Sequence, residues 1–319
     1  MMELLGSTFD DSMFLEERDR VSETLKSYNA KVCEPQWFCA DTALDTDDSL
    51  EKQKVMKFRG DMAVRKGEHQ KAFEAYRACL EWISESNLNI RRDVLEGMAR
   101  CSIKMGQKDK ALELVELLNK EASNTCHLTS LLLLKVSIYH NFGDVGAKIL
   151  CLQQLCSLLP FNPWHWLDLG CTCLQLLGSD KTTGAESQSL NGCEVAKLQS
   201  SVEAPDFNDD TNWLKACICF IRSRLLLKIL QQQQSSFVLK RSEKALEESD
   251  RALQHLNPTE TTIQRLTEVM LEDLIPEKMK EDYQDGESLM SVHVQSFRQR
   301  WWDRVLQLAV TQTQTNTNS

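Results

Sequence analysis

Twelve cysteines and six histidines are the residues of this 319-residue chain whose types could ligate a metal or attack an electrophile. Their spacing argues against both. No C-x2-C pair of the zinc-wrapping kind occurs, and the histidines at 69, 127, 140, 165, 255 and 293 form no close cluster. Cys171-x-Cys173 and Cys217-x-Cys219 fall inside apolar stretches of helical period, where a free thiol serves as a small hydrophobe. Cys33 and Cys39 lie outside those stretches and are the candidates for a reactive or metal-binding thiol. His127, beside Cys126, reads as a helix-start residue. Glu16-Glu17 and Asp47-Asp48 are adjacent pairs in a polar arm, with nothing to perturb their acidity. The phosphate-cradling G-x4-G-K-[ST] loop, G-x-G-x-x-G, H-E-x-x-H and G-x-S-x-G are all absent. The expectation is a protein with no catalytic residues, no cofactor and no metal, hence not an enzyme.

The elements that must position any other site are helical. Only 12 Gly and 6 Pro are present, too few turn residues for a sandwich or an α/β fold, while 42% hydrophobic residues suffice for a large core. The longest apolar segment, Trp213 to Leu230, carries Lys215, Arg222, Arg224 and Lys228, and so reads as a buried amphipathic helix rather than a membrane span. The opening Met1-Met2-Glu3-Leu4-Leu5-Gly6-Ser7 lacks a basic n-region and an apolar core, unlike a secretory signal. The expected location is intracellular, cytoplasmic or nuclear, without a membrane partner.

Charge is unevenly spread. The formal net charge is −10, which argues against a free-standing nucleic-acid binder. Residues 1–52 hold 13 acidic and 5 basic residues, and 179–212 hold 7 and 2, so the remainder is mildly basic. The division weakens the exclusion of anionic ligands for the helical body.

Self-similarity gives the organisation. Lys66-Gly67-Glu68-His69-Gln70-Lys71-Ala72 returns 39 residues later as Met105-Gly106-Gln107-Lys108-Asp109-Lys110-Ala111, and Phe142-Gly143-Asp144-Val145-Gly146-Ala147 follows 37 residues after that. Each lies between two helical segments. The glycine is expected to end the first helix in a left-handed turn, and the small Ala to sit where the second helix closes on the first. Trp166-Leu-Asp-Leu169-Gly170 opens a fourth copy with the Trp-x2-Leu-Gly offsets, six residues after Pro160.

This pattern resembles the tetratricopeptide repeat, a helix–turn–helix unit of about 34 residues. Gly60, Gly67, Ala72, Tyr76 and Cys79 match its positions in the first unit. Ala99, Gly106, Ala111 and Leu118 match in the second, and Val136, Gly143, Leu152, Leu155 and Pro160 in the third. Four longer stretches, Ser27–Phe38, Lys57–Asp61, Leu159–Trp166 and Lys215–Leu227, are similar to an uncharacterised vertebrate family, that of human chromosome 8 open reading frame 76. The two resemblances imply an all-α, right-handed tetratricopeptide-like solenoid and no activity.

The repeat family's groove-facing offsets fall on Lys57, Asp61 and Arg65, on Arg100 and Lys104, and on Ser137 and Asn141. Asp61 stands where the carboxylate clamp of chaperone-binding relatives needs Asn, so no chaperone tail is implied. Lys57, Arg65, Arg100 and Lys104 could form a basic stripe for an acidic peptide.

Residues 1–50 are expected to be an acidic, partly ordered arm, with a helix over Phe14–Ala30. Its aromatic spot, Trp37-Phe38, is expected to dock on the body, the acidic flank lying near Arg100 or Lys104. Residues 51–178 should hold the repeats and 179–212 a disordered acidic insertion. Residues 213–310 should form the remaining helices and a C-terminal cap, with a break at Pro276, and 311–319 a frayed tail. The sequence therefore predicts a protein-binding adaptor or complex subunit, its partners other proteins carrying acidic or aromatic linear motifs. The alternative is a nuclear nucleic-acid-associated factor using basic helix faces such as that of Trp213–Leu230.

Overall fold

The computed structural model describes residues 36–84, 87–179, 209–232, 236–275 and 293–307. Every regular element among them is helical. Two 3-10 turns, Trp37–Cys39 and Asp41–Leu44, precede α1 (Ser49–Arg65), α2 (His69–Leu80), α3 (Leu88–Lys104), α4 (Lys108–Lys120), α5 (Thr125–Asn141), α6 (Val145–Leu158) and α7 (Pro163–Ser179). After them come α8 (Asp209–Gln231), α9 (Ser236–Leu256), α10 (Glu260–Leu271) and α11 (Val294–Phe297), the last running into a π turn at Arg298–Trp302. From α1 to α9 each helix packs on the next in the chain. No described helix is long and apolar enough to cross a membrane.

The three repeated turns are built alike. Gly67, Gly106 and Gly143 have φ of 77°, 74° and 70°, the left-handed region that a side chain disfavours. The residue after each glycine donates its N–H back five residues, Glu68 to Ala63, Gln107 to Ser102 and Asp144 to Tyr139, all at 2.9 Å. Each glycine also donates to the carbonyl three residues back, which completes the same helix-ending motif three times. Ala72 and Ala111 are fully buried beyond the turn, whereas Ala147 is only half-buried.

Between the first two pairs the packing turns on one ring. Tyr76 of α2 lies between Gly60 of α1 and Gly97 of α3. A Cβ built at Gly60 would fall 2.5 Å from the ring, and one at Gly97 2.9 Å from its other side. Two glycines thus let three helices close on a tyrosine.

The second half has a larger core. Trp166 is completely buried, its indole N–H donating to the Pro160 carbonyl at 2.9 Å, which ties the start of α7 to the loop before it. The α7 and α8 helices, which carry the Trp166 and Trp213–Leu230 segments, pack side by side, with Gly170 against Phe220.

The C-terminal helices depart from expectation. The α10 helix packs on α8, but α11 returns to α6. Phe297, Trp301, Trp302 and Val305 are buried, and Phe297 and Trp301 stack about Trp166 at 5.5 and 5.0 Å between centroids. The segment is therefore a core component rather than only a cover over an open end. The π turn explains how two adjacent tryptophans both enter the core: its wider pitch brings the fourth and fifth residues after Phe297 to one side. The α10 helix ends at Leu271, before Pro276. The expected disordered insertion over 179–212 is narrower, since Ser179 ends α7 and residues 209–212 begin α8; its bulk at 180–208, the expected break at Pro276, the helix over 14–30, Cys33 and the tail at 311–319 lie outside the described residues.

Candidate functional site

The groove-facing positions come from α1, α3 and α5, the helices that the turns just described terminate. Arg100 and Lys104 at the end of α3, with Ser137 and Asn141 at the end of α5, line one cavity of about 270 Å³. Tyr76 and His69 of α2 also line it. The Asn141 side-chain amide donates to the Ser137 carbonyl at 2.8 Å, fixing its orientation.

Two of the expected contact residues are engaged with each other. Lys57 Nζ lies 3.1 Å from Asp61 Oδ2, and the Tyr76 hydroxyl donates to Asp61 Oδ1 at 2.7 Å. Burial, and then Asp61, drives the Tyr76 phenol far above its ordinary range, so it stays a donor. Both Asp61 oxygens are thereby occupied. Arg100 is held by Glu96, with Nη2 2.6 Å and Nε 2.9 Å from Oε1. The continuous four-cation stripe is thus interrupted. Among the described residues Arg65 and Lys104 have no carboxylate in ion-pair range, and Arg65 does not line the cavity.

A second cavity, of about 250 Å³, lies along the same α3–α5 pair toward their N-terminal ends, with Asn89, Arg92, Asp93, Glu96, His127 and Ser130 in its wall. It was not foreseen, although Asp93 and Glu96 sit two turns and one turn before Arg100 on α3. Asn124 caps α5 by accepting the His127 N–H at 2.9 Å, which makes His127 a helix-start residue as expected. Its imidazole meets the Arg92 guanidinium, and desolvation first, then Arg92, lowers its pKa.

The aromatic spot sits on α1. Trp37 and Phe38 pack on Phe58 at 6.2 and 5.5 Å between centroids. Arg59 donates to the carbonyls of Phe38 and Ala40 at 2.7 and 2.9 Å. The docking is partial, since Trp37 and Phe58 remain 41% and 39% exposed. Of the acidic flank, Asp48 caps α1 by accepting the Leu50 N–H at 2.8 Å, while residues 1–35 lie outside the described residues.

Three of the four cations of α8 are engaged internally, and the fourth, Lys228, is exposed. Arg222 is fully buried and bonds Asp273 and the Met270 carbonyl, both at 2.5 Å. Arg224 pairs with Asp250 at 3.1 Å, and Lys215 lies over the Trp302 ring at 5.1 Å. The ten described cysteines are free thiols. Burial pushes Cys79 and Cys151 up to about 11 and Cys217 up to about 12, the opposite of nucleophile activation. Cys39 and Cys126 are exposed. No group of three or more His, Cys, Asp or Glu among the described residues is placed to hold a metal.

Comparison with known proteins gives consistent matches. Residues 3–204 and 198–293 match the model of a family described as "Family of unknown function (DUF5588)". "Uncharacterized protein C8orf76" of Homo sapiens is 34% identical over 358 aligned positions, covering 95% of this chain and 93% of the human one. "Uncharacterized protein C8orf76 homolog" of Rattus norvegicus is 35% identical over 319, covering 88% and 85%.

Proposed function

The chain belongs to the DUF5588 family of unknown function, and from that premise we propose that it is a non-enzymatic adaptor or complex subunit with a tetratricopeptide-like fold. In this reading the α1–α3–α5 face binds an acidic linear motif of another protein. The observation that carries the reading is the convergence of Arg100, Lys104, Ser137 and Asn141 on one cavity. The two cations would meet a carboxylate, and the two polar side chains would bond the peptide backbone, as in groove recognition by other helical scaffolds. The three similar glycine turns, each ending the first helix of a pair with the same hydrogen-bond pattern, support the repeat assignment.

The test is affinity capture with mass spectrometry, using the full chain and Lys104→Glu from the same cells. Lys104 is exposed and forms no ion pair among the described residues, so the variant should keep the fold, which its circular dichroism and melting curve check. A partner retained by the wild type and lost by the variant is expected. Identical partner sets would count against the groove.

A further inference from the structure

A second site lies on other helices and does not depend on the groove. The cleft between α6, α7, α8 and the π turn has a cavity of about 30 Å³. Its base is polar and incomplete. Gln153 is 0% exposed, yet neither its Nε2 nor its Oε1 has a hydrogen-bond partner. Asn212 is 3% exposed and its Nδ2 is likewise unpartnered, while its Oδ1 lies 3.5 Å from Lys215 Nζ. A buried carboxamide with both ends unsatisfied is rare in a folded protein and points to a missing partner.

The rest of the wall defines that partner. Trp302, Ile149, Leu150 and Leu176 are apolar sides, and Lys215 and Arg298 stand at the cleft. No lining residue carries a carboxylate. The first turns of α6 and α8 border it through Gly146 and Asn212. Trp302 Nε1 is also unpartnered, so the orphan donors outnumber the orphan acceptor three to one, and the occupant must mainly accept. The volume suits one small group rather than a drug-sized molecule of about 300 Å³ or more.

We propose that this cleft binds a single carboxylate, with Gln153 Nε2 and Asn212 Nδ2 donating to its oxygens and Lys215 and Arg298 supplying the counter-charge. The carboxylate belongs either to a free small acid or to the side chain of an acidic peptide. Both sources present the same two oxygens to the two carboxamides.

The full-length protein labelled with ¹⁵N tests this, with the Trp302 indole N–H as reporter, assigned through Trp302→Phe. Acetate and N-acetyl-glutamate methylamide are titrated at constant ionic strength, with acetamide as the neutral control. A saturable shift with a carboxylate, absent with acetamide and weakened about tenfold or more in Gln153→Met, is the expected result. Acetate alone acting would assign the free acid, and both acting would admit the peptide side chain. No saturable shift, an equal response to acetamide, or full retention in Gln153→Met would overturn the proposal. Asn212→Leu serves as the second variant should Gln153→Met fold poorly, and carries the same expectation.

Discussion

Substituting Gly60 by Ala isolates the contact on which the first two helix pairs close. Two effects of opposite sign compete. Alanine is the better helix former by about 1 kcal/mol, so on an open helix face the change would stabilise. Here the new methyl lands 2.5 Å from Tyr76 Cε1 and 2.9 Å from Cζ, inside van der Waals contact. The ring cannot retreat, because Gly97 leaves no slack on its other side and the hydroxyl is held by Asp61. Overpacking of this kind costs about 1–3 kcal/mol. The net expectation is a loss of up to about 2 kcal/mol for Gly60→Ala, and a smaller loss for Gly97→Ala, whose contact is looser. Urea denaturation with a double-mutant cycle reads the coupling. In a Tyr76→Leu background Cε1 and Cζ are gone and the branched end can turn aside, so Gly60→Ala should there become neutral or stabilising. An equal loss in both backgrounds would refute the argument, since the cost would then have nothing to do with the ring.

Trp301→Ala should destabilise by about 3–5 kcal/mol, seen as a lower urea midpoint, because Trp301 is buried against Trp166 and Phe297; a loss below 1 kcal/mol would show the C-terminal segment to be peripheral. Burial lowers the His165 pKa to about 4, beneath its ordinary 6.5. The unfolded chain therefore takes up the proton first, so this contribution is whole above pH 6.5 and lost as pH falls toward 4, amounting to about 3 kcal/mol; His165→Gln should flatten that limb, and an unchanged limb would exclude His165 as its source. Iodoacetamide at pH 8, followed by mass spectrometry, should label Cys39 and Cys126 well before Cys79, Cys151 and Cys217, the first two being exposed and the others buried; comparable rates would mean that the core opens freely.

The turns could be read from the sequence because a left-handed residue has a chemical signature. Gly67, Gly106 and Gly143 recur at nearly constant spacing, and only glycine takes that conformation at little cost. The α7–α8 pairing was likewise foreseeable from two apolar segments flanking a polar stretch. What escaped depends on three-dimensional closure. Gly97 shows no periodic signal, since its role exists only against a ring two helices away. Lys57 and Asp61 share a helix at a spacing of four, so their pairing could have been inferred, yet the hydroxyl of Tyr76 that completes it arrives from α2. The return of α11 to α6 was hidden for a similar reason: the regular helical period marks Phe297, Trp301 and Val305 but not Trp302, which the π turn brings inward.

The same closure alters what the mildly basic body can offer a ligand. The repeat family's groove-facing offsets suggested a stripe of cations. Lys57, Arg100, Arg222 and Arg224 each meet a carboxylate of the chain itself, and for the exposed pairs such contacts are worth only about 0–1 kcal/mol. An incoming acidic peptide could therefore displace Glu96 from Arg100 at small cost, whereas Arg222, buried and bonded to both Asp273 and a carbonyl, is not exchangeable. Affinity at the groove would then rest on Lys104, on Arg100 exchanging its partner, and on hydrogen bonds from Ser137 and Asn141. Such a site binds weakly and is sensitive to salt, so selectivity would have to come from the shape of the cavity beside Tyr76 rather than from charge.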